Sequence, residues 1–158
     1  MESFLWIVLS YFIGAIPSGY IIGKVFYHVD LKKTGSGNIG ATNAYRELGV
    51  VAGFSVFICD FLKGFIAVHL GMPDPLIVLA CAIAAIVGND WSIFLHFKSG
   101  KGVACGVGAF AYISAPAVLC AFAVWLLVFK AKHIVSLSSI IAAPVVALVL
   151  LIEGASAE

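Results

Sequence analysis

Continuous apolar runs recur along this chain, and they limit its fold more than any motif does. Most approach or exceed the about 20 residues that a helix needs to cross a bilayer. In lipid every backbone N–H and C=O must be satisfied within the protein, so spanning structures are helices or closed barrels. The runs do not alternate in polarity, which excludes a barrel. The fold class is therefore all-α, a polytopic helical membrane protein. Composition agrees: 63% of the 158 residues are hydrophobic, 11% are charged, and mean hydropathy is +1.13. That leaves too little polar surface to clothe a water-soluble domain. With no internal repeat, low-complexity tract or linker, residues 1–158 read as a single integral-membrane domain. The first segment has no basic stretch before it and leads straight into a polar motif. It reads as a membrane helix, not a cleaved signal.

About six transmembrane segments can be placed. Four are residues 4–27, 50–70, 75–94 and 134–152. The stretch 103–129 is long for one helix, and Ser114-Ala115-Pro116 predicts a break within it. Lysine and arginine set the orientation. Lys24, Lys32, Lys33 and Arg46 mark the first long connection as cytoplasmic. Gly71-Met72-Pro73-Asp74 carries no positive charge and falls outside, and Lys98 and Lys101 return to the cytoplasm. If 103–129 is a hairpin of two short helices, Lys130 and Lys132 also lie inside. The N-terminus is then outside, both polar glycine-rich loops are cytoplasmic, and the chain ends outside.

Gly35-Ser36-Gly37-Asn38-Ile39-Gly40-Ala41-Thr42-Asn43, followed by Arg46, is the densest cluster of chemistry. Its G-x-G-x-x-G spacing is not a dinucleotide fingerprint, because a membrane helix rather than a strand precedes it. A nucleotide P-loop is excluded by Ala41, which stands where the lysine should be. The physics of such a loop remains: glycines free backbone N–H groups for an anion, and a following helix start adds its dipole. Arg46 can fork onto two phosphate oxygens. Lys98-Ser99-Gly100-Lys101-Gly102 is a second basic glycine turn, with Lys101 a point charge beside open donors. For Arg46 and Lys101 the competing reading is topological, an interfacial cation on a cytoplasmic loop.

Other polar residues have structural readings. Asp60 and Lys63 share a helix face within a spanning segment and read as an ion pair, with a direct substrate role as the alternative. Gly14, Ser18, Gly19 and Gly23 read as close-packing positions. Asp90 reads as a cap or pair, with a general base as the alternative. His28, His69, His96 and His133 form no cluster. Cys59, Cys81, Cys105 and Cys120 read as small buried hydrophobes without metal-ligand spacing. The net charge of +1 and the scattered lysines give no nucleic-acid footprint.

Pro17-Ser18-Gly19-Tyr20, Asp30 through Asn43 with Arg46, Asp60-Phe61-Leu62-Lys63-Gly64, Phe97 through Ala104 and Val135-Ser136-Leu137-Ser138-Ser139 resemble, in order and spacing, the bacterial acyl-phosphate:glycerol-3-phosphate acyltransferases of the PlsY type. The resemblance spans nearly the whole chain. It implies a bacterial inner-membrane enzyme that transfers a fatty acyl group from acyl phosphate to the 1-hydroxyl of glycerol 3-phosphate. The product is lysophosphatidic acid, a precursor in phospholipid biosynthesis, and no cofactor or metal is needed. The resemblance places catalytic roles on Ser36, Arg46 and Lys101. Substrate-binding roles fall on Gly35, Gly37, Asn38, Gly40, Thr42, Asn43, Gly100 and Gly102. Asn89 replaces a usual histidine, Ser92 a proline, Ser99 a glycine and Cys105 a threonine. The family continues into a last helix with a histidine–asparagine motif, whereas this sequence ends at Ala155-Ser156-Ala157-Glu158. It reads as a divergent or C-terminally shortened member. The alternatives are a non-catalytic protein that binds glycerol phosphate or anionic lipid, and a small organophosphate transporter.

Overall fold

The computed structural model describes residues 2–156, and every regular element among them is helical. The elements are α1 (Glu2–Ala15), α2 (Ser18–Phe26), α3 (Ala41–Leu48), α4 (Val50–Leu70) and α5 (Pro75–Asp90), then a 3-10 turn (Ile93–Leu95), α6 (Val103–Ile113), α7 (Ala115–Lys132) and α8 (Val135–Ser156). Ala157 and Glu158, on which part of the expectation about the chain's end rests, lie outside the described residues. Five stretches are long and apolar enough to cross a membrane: Glu2–Phe26, Val50–Leu70, Pro75–Leu95, Ala115–Lys132 and Val135–Gly154. The break expected at 114–116 falls between α6 and α7. At 11 residues, α6 is about 16 Å long, short of the roughly 30 Å hydrocarbon core. The first arm of the expected hairpin therefore does not span the bilayer unaided.

Two compact units divide within α6, after Ala109. In the first, helices cross through paired glycines. Gly14 of α1 lies on the Ala85 carbonyl, and Gly88 of α5 lies on the Tyr11 carbonyl. Gly64 of α4 meets the Cys105 carbonyl, while Gly108 of α6 meets that of Phe61. A Cβ at any of these four would strike backbone, so the small residue sets the approach.

Pro17 divides the first apolar stretch into α1 and α2, where the hydropathy of residues 4–27 predicts one continuous segment. A proline has no N–H to continue the ladder, so carbonyls at the end of α1 need partners from outside the helix. The Ser18 N–H takes the Ile16 carbonyl at 3.0 Å. Lys63 Nζ donates to the same carbonyl and sits 2.6 Å from Asp60 Oδ1. The expected Asp60–Lys63 pair is therefore real and buried, and it fills the gap that Pro17 opens.

In the second unit Ser114 caps α7. Its Oγ accepts from the Ala117 N–H at 3.1 Å and donates to Glu153 Oε1 at 3.0 Å. Trp125 links α7 to α8 by donating to Ser139 Oγ at 3.2 Å. Large apolar side chains such as Phe4, Leu76, Leu127 and Leu151 stand exposed, as a hydrocarbon-facing surface requires. Cys81 and Cys105 are buried as expected. Cys59 and Cys120 are exposed instead, on outward faces of apolar helices.

Candidate active site

The glycine-rich loop is held down at both ends. Leu31 before it and Ile39 after it are buried in one cluster with Ala44, Val56 and Leu95. Gly19 allows the Ile39 carbonyl to seat directly on α2. Between these anchors Gly35 and Gly37 take φ of +55° and +72°, the left-handed region that glycine enters without a Cβ penalty. The loop then turns into α3, whose N-cap is Gly40.

Asn43 organises the loop from inside. It is 3% exposed, and its Oδ1 accepts from the Ser36 N–H at 3.0 Å. Its Nδ2 donates to the Leu31 and Thr34 carbonyls. Asn38 acts similarly: Oδ1 accepts from the Gly40 N–H at 2.8 Å, and Nδ2 donates to the Ser99 carbonyl at 3.3 Å. That last bond spans 61 positions of sequence and joins the two glycine loops. Both asparagines, expected to contact substrate, spend their polar atoms on the protein.

The same bonds limit which N–H groups are open. Those of Ser36, Gly37 and Gly40 are taken by Asn43, Thr34 and Asn38. Those of Ala41 and Thr42, in the first turn of α3, have no acceptor among the described residues. The anion-directed donors thus sit at the helix start more than in the loop. Ser36 is exposed at the loop tip, and Arg46 is exposed one turn beyond Thr42. Arg46 has no ion pair among the described residues.

The second loop leans on the end of α5. The Gly100 N–H donates to the Asn89 carbonyl at 3.0 Å, and Gly100 packs on the Asn89 side chain. Gly102 takes φ +59°, and a Cβ there would lie 2.9 Å from Asp90 Oδ1. Lys101 stands exposed between the two glycines, also without an ion pair among the described residues. Asp90 is not the cap or pair expected, since its Oδ1 is buried without a hydrogen-bond partner among the described residues.

The departures from the resembled pattern are absorbed by packing. Ser92 is fully buried and donates to the Ala15 carbonyl at the end of α1. Asn89 supports Gly100, the Ser99 carbonyl receives Asn38, and Cys105 lies beneath Gly64. The structuring roles of Asn43 and Asn89 were not legible as such. Polar residues in a loop motif look alike whether they face a ligand or the backbone.

The sequence profile of the family described as glycerol-3-phosphate acyltransferase matches residues 4–157. A relative from Moorella thermoacetica, glycerol-3-phosphate acyltransferase 2, is 44% identical over 143 residues. The match covers 89% of this chain and 74% of the relative. The glycerol-3-phosphate acyltransferase of Lacticaseibacillus casei is 45% identical over 139 residues, covering 85% of this chain and 67% of its own. The crystal structure of PlsY, an integral membrane glycerol 3-phosphate acyltransferase, in its glycerol 3-phosphate form superposes with a TM-score of 0.92 at 37% identity. That match covers 98% of this chain and 78% of that one. Its lysophosphatidic acid form matches with a TM-score of 0.90 at 35% identity. On this evidence the chain belongs to the glycerol-3-phosphate acyltransferase family.

Proposed function

We propose that this protein transfers a fatty acyl group from acyl phosphate to the 1-hydroxyl of glycerol 3-phosphate, releasing lysophosphatidic acid and inorganic phosphate on the cytoplasmic side of the membrane. The observation that carries the reading is the Asn38–Ser99 bond, which sets two glycine loops side by side, each bearing an exposed cation with no ion pair among the described residues. Related structures exist in glycerol 3-phosphate and lysophosphatidic acid forms, which supports acceptor and product of these classes.

The donor carries its own activation. The acceptor hydroxyl oxygen attacks the acyl carbonyl carbon, an ester C–O bond forms, and the C–O bond to phosphate breaks. The hydroxyl proton passes to the departing phosphate. The protein must hold two anions against each other, orient the hydroxyl and stabilise developing negative charge. In this reading Arg46 and Lys101 neutralise the phosphates, and Ser36 orients the acceptor. The Ala41 and Thr42 N–H groups supply further donors, and Gly35, Gly37, Gly40, Gly100 and Gly102 let backbone approach the substrate closely. Asn38 and Asn43 fix the loops. The family's activity does not by itself name the donor. Purified protein offered palmitoyl phosphate or palmitoyl-CoA with glycerol 3-phosphate should form product from the phosphate alone. Equal rates from the thioester would overturn the donor assignment.

A further inference from the structure

A polar cleft near the glycine loop is lined by none of Ser36, Arg46 or Lys101. It is an open cleft of about 420 Å³, within the roughly 300–1,000 Å³ range of small-molecule clefts. Its walls are Tyr20 of α2, Asp30, Lys32 and Lys33, and Phe94, Leu95 and His96 at the 3-10 turn.

Charge and polarity within it are divided. Asp30 is already satisfied: Oδ1 accepts from the Lys32 N–H at 3.1 Å, and Oδ2 lies 3.8 Å from Lys24 Nζ. Lys32 and Lys33 form no ion pair among the described residues, so the two ammonium groups outnumber the single Asp30 carboxylate in the cleft. Its other wall is apolar and continues outward. Phe94, 53% exposed, lies 6.4 Å from the ring of Phe12, itself 42% exposed on spanning helix α1. A cationic cup opening onto an aromatic track along a membrane helix fits an anion attached to a hydrocarbon chain. A free anion would gain nothing from the track.

We infer that this cavity holds the phosphate headgroup of an anionic glycerophospholipid from the surrounding bilayer, with Lys32 and Lys33 on the phosphate and an acyl chain along Phe94 and Phe12. Tyr20 and His96 can add hydrogen bonds to the headgroup. Such a lipid would brace the Asp30–Lys33 segment, which leads directly into Gly35. The inference does not depend on the reaction proposed above.

The test is native mass spectrometry of the full chain released from detergent. Phosphatidylglycerol and phosphatidylcholine of identical chains are offered in turn. One tightly retained phosphatidylglycerol is expected, and no equivalent phosphatidylcholine. K32Q/K33Q should bind phosphatidylglycerol about fivefold more weakly per lysine removed, and K32R/K33R should restore it. Both lysines are exposed, and an unchanged melting temperature checks that the variants fold. K101A should retain the lipid undiminished, which separates this cavity from the acyl-transfer site. Equal retention by wild type and K32Q/K33Q, or of both lipids, overturns the proposal. Displacement by inorganic phosphate would reassign the cavity to a free anion. Preferential retention of lysophosphatidic acid would reassign it to product. Either result also overturns the proposal.

Discussion

At the residue scale, side chains that look like ligands divide into those that face outward and those that hold the loop. Ser36, Arg46 and Lys101 are exposed, whereas Asn43 is enclosed with three hydrogen bonds to protein. Asn43→Ala strips the partner from the Ser36 N–H and from two carbonyls. Only the bond to the Leu31 carbonyl is fully buried, the other two being part-buried, so the loss is roughly 1–3 kcal/mol, read as a lower melting temperature in detergent. Turnover should fall with it. Asn43→Asp keeps the acceptor for the Ser36 N–H but sets a carboxylate oxygen against the Leu31 and Thr34 carbonyls, so it should not restore the melting temperature. Arg46→Ala should behave oppositely, with an unchanged melting temperature and turnover reduced about 10- to 100-fold, the scale of a lost charge-assisted hydrogen bond. The sequence reading placed all of these in one motif. It could not separate holders from binders, because that depends on which way each side chain turns within a loop.

At the scale of elements, legibility followed local chemistry. Ser114 and Pro116 mark the α6–α7 boundary by a capping oxygen and a missing N–H, and the structure breaks there. Pro17 carries the same signal, yet unbroken hydrophobicity on both sides concealed it. The 3-10 turn at Ile93–Leu95 had no signal, because His96 and Phe97 take positive φ without being glycine. The Asp60–Lys63 pair was legible from its i, i+3 spacing, but its contact with Ile16 was not, being 47 positions away. That contact makes Lys63 the plug of the Pro17 break. Lys63→Met leaves Asp60 without its partner and the Ile16 carbonyl with only the Ser18 N–H, and breaking a buried pair costs roughly 3–5 kcal/mol. The expected result is loss of folded protein by size-exclusion chromatography or a strongly lowered melting temperature. Wild-type melting would show the pair to be dispensable.

For the whole molecule, the all-helical membrane fold was legible from hydropathy alone, because lipid leaves the backbone few alternatives. Sidedness rests on the distribution of lysines and is directly testable. In a background lacking Cys59, Cys81, Cys105 and Cys120, single cysteines at Lys33 and Lys98 should react with an impermeant maleimide from the same side of sealed vesicles. A cysteine at Asp74 should react from the other side. The Asn38–Ser99 bond demands that the first two agree. Labelling of Lys33→Cys and Lys98→Cys from opposite sides would contradict the arrangement of both loops.

The central claim is that the two joined loops carry out acyl transfer. Its most direct test is lysophosphatidic acid formation by the purified chain from palmitoyl phosphate and glycerol 3-phosphate, beside Lys101→Ala. The account predicts product from the wild type and a fall of about 100-fold in a variant that melts normally, as expected for a lost contact to charged substrate. Equal rates in the two proteins, or no product from folded wild type, would contradict it.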